Sequence, residues 1–110
     1  MASTLLESKK YTEAEKQYEE VLNRHPDNVD ACVGLGITYT ELKADSKAVE
    51  AFLKAVEIDP NDPRPHYYLG LSLRKGGNKE AALEEFRRCV DLDGDNELIR
   101  DARKQIRRLE

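Results

Sequence analysis

The stretch YYLGLSLRKGGNKEAALEEF, from Tyr67 to Phe86, decides the fold of this chain. Its first half has the composition of a helix that ends in charged residues, and a second helical segment follows the glycine-rich break. Gly70 nevertheless lies inside the first segment, where glycine costs roughly 1 kcal/mol relative to alanine. The stretch therefore predicts two helices joined by a turn, and the glycine within the first helix needs a reason of its own.

A period of 34 residues supplies that reason, because Gly36 precedes Gly70 by this distance. Further identical pairs have the same offset: Leu35 with Leu69, Ala48 with Ala82, Glu50 with Glu84, Phe52 with Phe86, Val56 with Val90 and Asp59 with Asp93. A fixed period of this size is typical of stacked helix pairs. We therefore predict one domain over 1–110, with a partial repeat at 1–28, full repeats at 29–62 and 63–96, and a final helix at 97–110.

Turn and capping residues predict where the helices begin and end. Asp62 suits an N-cap and Pro63 the first helical position, while Gly76-Gly77 breaks the chain before Asn78. Thr12 is followed at capping-box spacing by a glutamate. The helices are expected at about 12–24, 29–41, 45–58, 63–75, 79–92 and 97–110.

Small residues recur at equivalent positions of the two full repeats: Gly36, Gly70, Ala48 and Ala82. They would let paired antiparallel helices approach closely, while Phe52, Phe86 and Tyr39 fill the spaces between them. The close approach would strengthen the dispersion attraction between the helices, and this attraction would offset the backbone cost of glycine.

The repeats closely resemble the tetratricopeptide family, which has units of about 34 residues with a Trp-x2-Leu-Gly-x2-Tyr, Ala-x3-Phe, Pro pattern. The repeat at 29–62 departs only at the Trp position, with Cys32, Leu35, Gly36, Tyr39, Ala48, Phe52, Ala55 and Pro60. The repeat at 63–96 departs at the Trp, Tyr, second Ala and Pro positions, with His66, Leu69, Gly70, Leu73, Ala82, Phe86, Cys89 and Gly94. The resemblance implies an all-α fold, a short right-handed α-solenoid of antiparallel helix pairs with a C-terminal capping helix.

Composition excludes several classes of function. The formal net charge of −4 disfavours a dedicated nucleic-acid binder, and no apolar run is long enough to span a membrane. Cys32 and Cys89 are interpreted as small buried apolar side chains rather than a disulfide, which favours a cytoplasmic location. The segment 97–110 carries five basic residues, but we interpret it as a polar cap because the charges are spread around the helix and no aromatic residues interleave with them.

No arrangement of residues predicts catalysis. His25 and His66 are interpreted as structural or solvated, and no Ser–His–Asp or Cys–His arrangement has support. Gly76-Gly77 is a turn without the rest of a phosphate loop, and Asp91–Glu97 lacks the full spacing of a calcium loop. We expect a protein that is not an enzyme and that needs no metal or cofactor.

What remains is a surface for another protein. In tetratricopeptide domains the first helices of successive repeats line a concave groove that receives a peptide or helix. The resemblance implies these groove residues here: Val33, Ile37, Thr40, Arg64, Tyr67, Leu71 and Arg74. An apolar or amphipathic partner segment with an acidic group nearby would suit them, so the leading hypothesis is an interaction module or scaffold. The alternative is that the apolar members only pack against neighbouring helices.

One subclass of the family holds the C-terminal carboxylate of heat-shock proteins with a Lys/Asn/Arg clamp. The clamp positions that can be carried over fall on Ser3, Gly34, Arg64 and Tyr68, so only one cation is retained. We therefore expect a different partner.

The incomplete first repeat raises a further hypothesis. The apolar residues Ala14, Tyr18, Val21 and Leu22 lack most of the helix that usually covers them, and exposed stripes of this kind favour association. The chain would then be a self-associating assembly unit. Alternatively, it is a piece of a longer repeat array or a regulatory or targeting fragment of a larger multidomain protein.

Overall fold

The computed structural model describes the backbone of residues 2–92 and 96–110, and the side chains of residues 9–92 and 97–110. Within these residues it contains helices and no strands, which confirms the all-α prediction. The helices are α1 (Ala2–Arg24), α2 (Val29–Glu41), α3 (Asp45–Ile58), α4 (Pro63–Lys75), α5 (Lys79–Asp91) and α6 (Asn96–Leu109). The stretch Asp91–Glu97, considered above as a calcium loop, includes residues 93–95, which lie outside the described residues.

The expected bounds of α2, α3 and α4 are confirmed, and that of α5 differs by one residue. The expected start of a helix at Thr12 is wrong, because α1 runs without interruption from Ala2 and Thr12 lies in its interior. No glycine or proline occurs between residues 2 and 12, so nothing in this segment breaks the helix. Capping-box spacing alone does not start a helix when the preceding residues are helix formers.

Capping side chains fix the N-termini of three helices. The Asp62 carboxylate accepts a hydrogen bond from the backbone N–H of Arg64 at 3.0 Å, and Pro63 follows at the first helical position. Asn78 accepts from the N–H of Ala81 at the start of α5, as expected. Asn28 accepts a hydrogen bond from the N–H of Ala31 at the start of α2, and this cap was not predicted. These bonds satisfy N–H groups that have no partner inside the helix.

The turns after α2 and α4 use equivalent positions, 34 residues apart. Gly77 has a φ of +85°, and Lys43 has a φ of +62°. Left-handed backbone suits glycine and strains a residue with a Cβ atom. Lys43 is therefore strained in a backbone conformation that Gly77, at the equivalent position, adopts without strain.

The chain forms two compact units, the first ending at Ile58 and the second beginning at Asp59. In the first unit α2 packs against both α1 and α3. Phe52 of α3 is fully buried and lies so close to Gly36 that an added Cβ would be 2.5 Å from its ring. On the other side of α2, a Cβ at Gly34 would be 2.4 Å from the ring of Tyr18 in α1. Two glycines on one helix therefore let two aromatic rings approach its backbone.

The second unit repeats the contact and adds a third helix. A Cβ at Gly70 would lie 2.6 Å from the ring of Phe86, which is fully buried. Helix α5 also packs against α6, whose Ala102 is fully buried. The core of this unit consists of Tyr67, Ala82, Phe86, Cys89 and Ala102, with half-buried apolar side chains packed around them. The packing reason inferred for the repeated glycines is thus present in both units.

Candidate functional site

The first-helix face of α2 carries three of the residues expected to bind a partner. Val33 is buried, with 3% of its surface exposed, whereas Ile37 and Thr40 are half-buried. The hydroxyl of Thr40 donates to the backbone carbonyl of Gly36 at 3.0 Å. Of the two apolar side chains in this set, Ile37 retains exposed surface and Val33 contributes mainly to packing.

The corresponding face of α4 carries the other four, and three of these make polar contacts within the second unit. Arg64 binds the Asp62 carboxylate through two nitrogens, the closer at 2.7 Å. The Tyr67 hydroxyl donates to Asp101 of α6 at 2.8 Å, and Arg74 donates to the side-chain carbonyl of Gln105. The fourth, Leu71, is half-buried and packs against the core of the unit.

Helix α6 thus holds the α4 face at two points that sequence reasoning missed. Tyr67 and Arg74 are seven residues apart on α4, and their partners Asp101 and Gln105 are four apart on α6. Residues at these separations lie on one side of a helix. Tyr67 and Gln105 are each 8% exposed, whereas their partners Asp101 and Arg74 are exposed, so each contact joins a buried side chain to one at the surface.

Two ionisable groups on this face have shifted pKa values. Burial, together with the hydrogen bond to Asp101 and its negative charge, raises the pKa of Tyr67 to about 12. Burial alone would raise the pKa of Asp62, but the hydrogen bonds and positive charge of Arg64 outweigh it and hold that pKa below its usual range. At neutral pH the tyrosine therefore remains a hydrogen-bond donor and the aspartate an acceptor.

His66 occupies the position where the family pattern has Trp, and it is a structural residue. It is buried, and its Nδ1 lies 2.8 Å from the Glu85 carboxylate of α5. The same carboxylate group lies 3.6 Å from the guanidinium of Arg88. The contact between His66 and Glu85 joins α4 to α5 where the family pattern has a large apolar side chain. His25, the other histidine considered in the sequence, is exposed.

The face of α1 expected to self-associate is half-buried rather than open. All four of its residues, Ala14, Tyr18, Val21 and Leu22, are intermediate in exposure. Tyr18 is the member that packs on Gly34 of α2. Part of the apolar stripe is thus covered by the chain's own next helix, and the remainder retains exposed surface.

Other chemistry is limited in the part of the chain that the structure describes. Cys32 and Cys89 are free and buried, as predicted, and burial raises the pKa of the Cys89 thiol to about 11. Among the described residues, no group of three or more His, Cys, Asp or Glu side chains could hold a metal ion. No helix within these residues has the length and apolar character needed to cross a membrane.

Comparison with known proteins identifies the family. Two tetratricopeptide repeat models match, one over residues 5–71 and the other over residues 63–96. The chain therefore belongs to the tetratricopeptide repeat family, and its fold is of the all-α, solenoid-like class.

The similar proteins are mostly much longer. The chain is 37% identical over 75 residues to the CTR9 homolog of Arabidopsis thaliana, and the match covers 68% of this chain and 7% of that protein. It is 30% identical over 89 residues to small glutamine-rich tetratricopeptide repeat-containing protein 2 of Saccharomyces cerevisiae, covering 81% of this chain and 26% of that one. The chain thus spans about a quarter or less of these relatives.

A solved structure shares the fold at low identity. The Yersinia enterocolitica type III secretion chaperone SycD, in complex with a peptide of the translocator YopD, matches with a TM-score of 0.85 and 17% identity. The match covers 93% of this chain and 81% of SycD. Membership of this family makes the chain a protein–protein interaction module.

Proposed function

We propose that this module binds an apolar or amphipathic segment of a partner protein on the first-helix faces of α2 and α4. The observation that carries the proposal is the state of Ile37 and Leu71. These residues are 34 positions apart, at the same place in the two repeats, and both are apolar yet only half-buried. Half-exposed apolar side chains at repeated positions are suited to anchor a partner segment.

The polar residues of these faces are held in position before any partner arrives. Arg64 is paired with Asp62, Thr40 with the α2 backbone, and Arg74 with Gln105. Arg74 is exposed and can still face an acidic group of the partner. Arg64, the one cation retained at the clamp positions, is already engaged by a carboxylate, so a heat-shock-protein C-terminus is not the partner we propose.

The structural neighbour supports the mode of binding. SycD has the same fold and is described as a complex with a peptide of another protein. Because the identity is 17%, the neighbour supports a peptide-sized partner and does not indicate which one. The apolar character proposed for the partner segment therefore follows from the exposed apolar side chains of this chain.

The test is affinity capture from a lysate of the source cells with three forms of the protein. The native chain is compared with an Ile37→Glu/Leu71→Glu variant and with a Gln17→Glu/Ser46→Glu control, which adds the same charge at exposed positions. Circular dichroism first establishes that all three fold. We expect a protein captured by the native chain and the control but lost with the Ile37/Leu71 variant. Equal capture by all three forms, or none by any, contradicts the proposal.

Self-association through α1 is the alternative, favoured by the exposed surface that Val21 and Leu22 retain. It predicts a mass above that of the monomer in light scattering, reduced by Val21→Glu/Leu22→Glu and unchanged by the Ile37/Leu71 variant. A monomer mass at high protein concentration removes it.

A further inference from the structure

Helix α6 presents four basic side chains on one arc of its surface. Its inward side is fixed by buried Ala102 and Gln105 and by the half-buried Leu98, Ile106 and Leu109. At about 100° per residue, the opposite side collects Arg100, Arg103, Lys104 and Arg107 within about 100° of the circumference. All four are exposed. Four of the five basic residues that the sequence analysis spread over the rest of the helix thus lie in one stripe, which we call the α6 basic stripe.

The cations of the α6 basic stripe are not paired with carboxylates in the part of the chain whose side chains are described. Among the side chains of residues 9–92 and 97–110, none forms an ion pair with any of its four cations. The neighbouring helix differs, because Arg87 binds Glu110 at 2.9 Å and Arg88 binds Glu84 at 2.7 Å. The cations of α5 are therefore partly neutralised, whereas those of the stripe face solvent.

We propose that the α6 basic stripe docks an acidic segment of a partner protein, at a surface separate from the first-helix faces. The stripe runs from Arg100 to Arg107, about 10 Å along the helix axis. An extended segment of about four residues covers this length, as do two turns of a helix with carboxylates at matching spacing. Opposite charges at this spacing attract the segment and set its register.

The surroundings of the stripe favour an acidic peptide over other polyanions. The apolar side of α6 is occupied by packing in its own unit, so the helix has no apolar face left to insert into a bilayer. The exposed arc carries no aromatic residue on which a base could stack. Glu97 and Asp101 border the stripe, and with Arg100 and Lys104 they line an open cavity of about 370 Å³ that can admit a side chain. These carboxylates would repel a uniformly charged polymer but accommodate a segment of mixed sequence.

The test measures binding of a short fluorescein-labelled peptide of alternating glutamate and serine residues to the full chain by fluorescence anisotropy at low salt. The native chain is compared with Arg103→Gln/Arg107→Gln and with the control Arg87→Gln/Arg88→Gln, which removes the same charge from the paired cations of α5. Since each exposed ion pair contributes about 0.2–1 kcal/mol, we expect the stripe variant to bind about fivefold to tenfold more weakly. The control should change affinity less than twofold, and Ile37→Glu/Leu71→Glu should bind like the native chain.

Two comparisons complete the design. A second variant of the stripe, Arg100→Gln/Lys104→Gln, provides an independent pair if the first loses helical content by circular dichroism, and it should weaken binding to the same extent. A thymidine oligonucleotide and vesicles containing phosphatidylserine serve as the competing polyanions. Equal losses in the stripe and control variants, no binding of the peptide, or tighter binding of the oligonucleotide or vesicles would each overturn the proposal.

Discussion

Replacing Gly70 with alanine separates the two physical effects that act at this position. On helix propensity alone, the substitution stabilises a helix interior by about 1 kcal/mol. In this structure, however, the added Cβ would lie 2.6 Å from Cε1 of Phe86 and 2.8 Å from its Cδ1 and Cζ. The two effects have opposite signs, so the measured change in the free energy of unfolding decides which one dominates.

The contact sets the expected magnitude. Carbon atoms pack best at about 3.5–4.0 Å, so the Phe86 ring or the α4 backbone must move by about 1 Å. The ring is fully buried, so it can move only against the close-packed side chains of the core. Overpacking of a closed core costs about 1–3 kcal/mol, and the gain in propensity returns about 1 kcal/mol. We therefore expect Gly70→Ala to lower the free energy of unfolding by about 1 kcal/mol.

The assay is urea unfolding followed by far-ultraviolet circular dichroism. Gly76→Ala is the matched control, because a Cβ there meets nothing closer than 3.6 Å and its φ is −79°. It should be neutral or stabilising. In a Phe86→Leu background the clash is relieved, and Gly70→Ala should then be neutral or stabilising as well. A Gly70→Ala protein that is about 1 kcal/mol more stable than the native chain would refute the packing explanation.

Three further predictions concern the turns, the α4–α6 contact and a cap, each measured by unfolding. Lys43→Gly should raise the free energy of unfolding by about 1 kcal/mol because it removes left-handed strain, and Gly77→Lys should lower it similarly. Tyr67→Phe should cost about 1 kcal/mol, more than Tyr39→Phe, whose exposed bond to a glutamate is 3.3 Å long. Because the folded pKa of Tyr67 is about 12, its contribution should be complete below the unfolded value of about 10 and lost as pH rises through 12. Asp62→Ala should cost about 1 kcal/mol at neutral pH. Its folded pKa is lowered, so the difference from the native chain should persist above about pH 4 and vanish on further acidification.

Helix bounds could be predicted well wherever turn chemistry is local. Asp62-Pro63 and Gly76-Gly77-Asn78 fix their backbones through side chains a few residues away, and the period transfers those bounds to the other repeat. The prediction failed at Thr12, where capping-box spacing occurs within a helix that nothing interrupts. A motif at a helix start needs a break before it, and α1 has none.

The candidate site was less predictable, because burial depends on what packs on each helix. The family resemblance assigns Val33 and Tyr67 to the partner-facing side, yet both are largely buried. Tyr67 is engaged by Asp101 of α6, a residue that lies beyond the two full repeats. The α6 basic stripe was missed for a related reason, because its limits also depend on polar Gln105, which the structure buries on the inward side of the helix.

Site-specific photocrosslinking tests most directly whether the first-helix faces of α2 and α4 bind one partner segment, as we propose. A photoreactive amino acid is placed in turn at Ile37, Leu71 and the control position Leu53, which is 54% exposed on α3. The proteins are irradiated in source-cell lysate, and the crosslinked peptides are identified by mass spectrometry. We predict crosslinks from positions 37 and 71 to the same segment of one protein and none to that segment from position 53. Crosslinks to that segment from position 53 but not from 37 or 71 would contradict the proposed binding face.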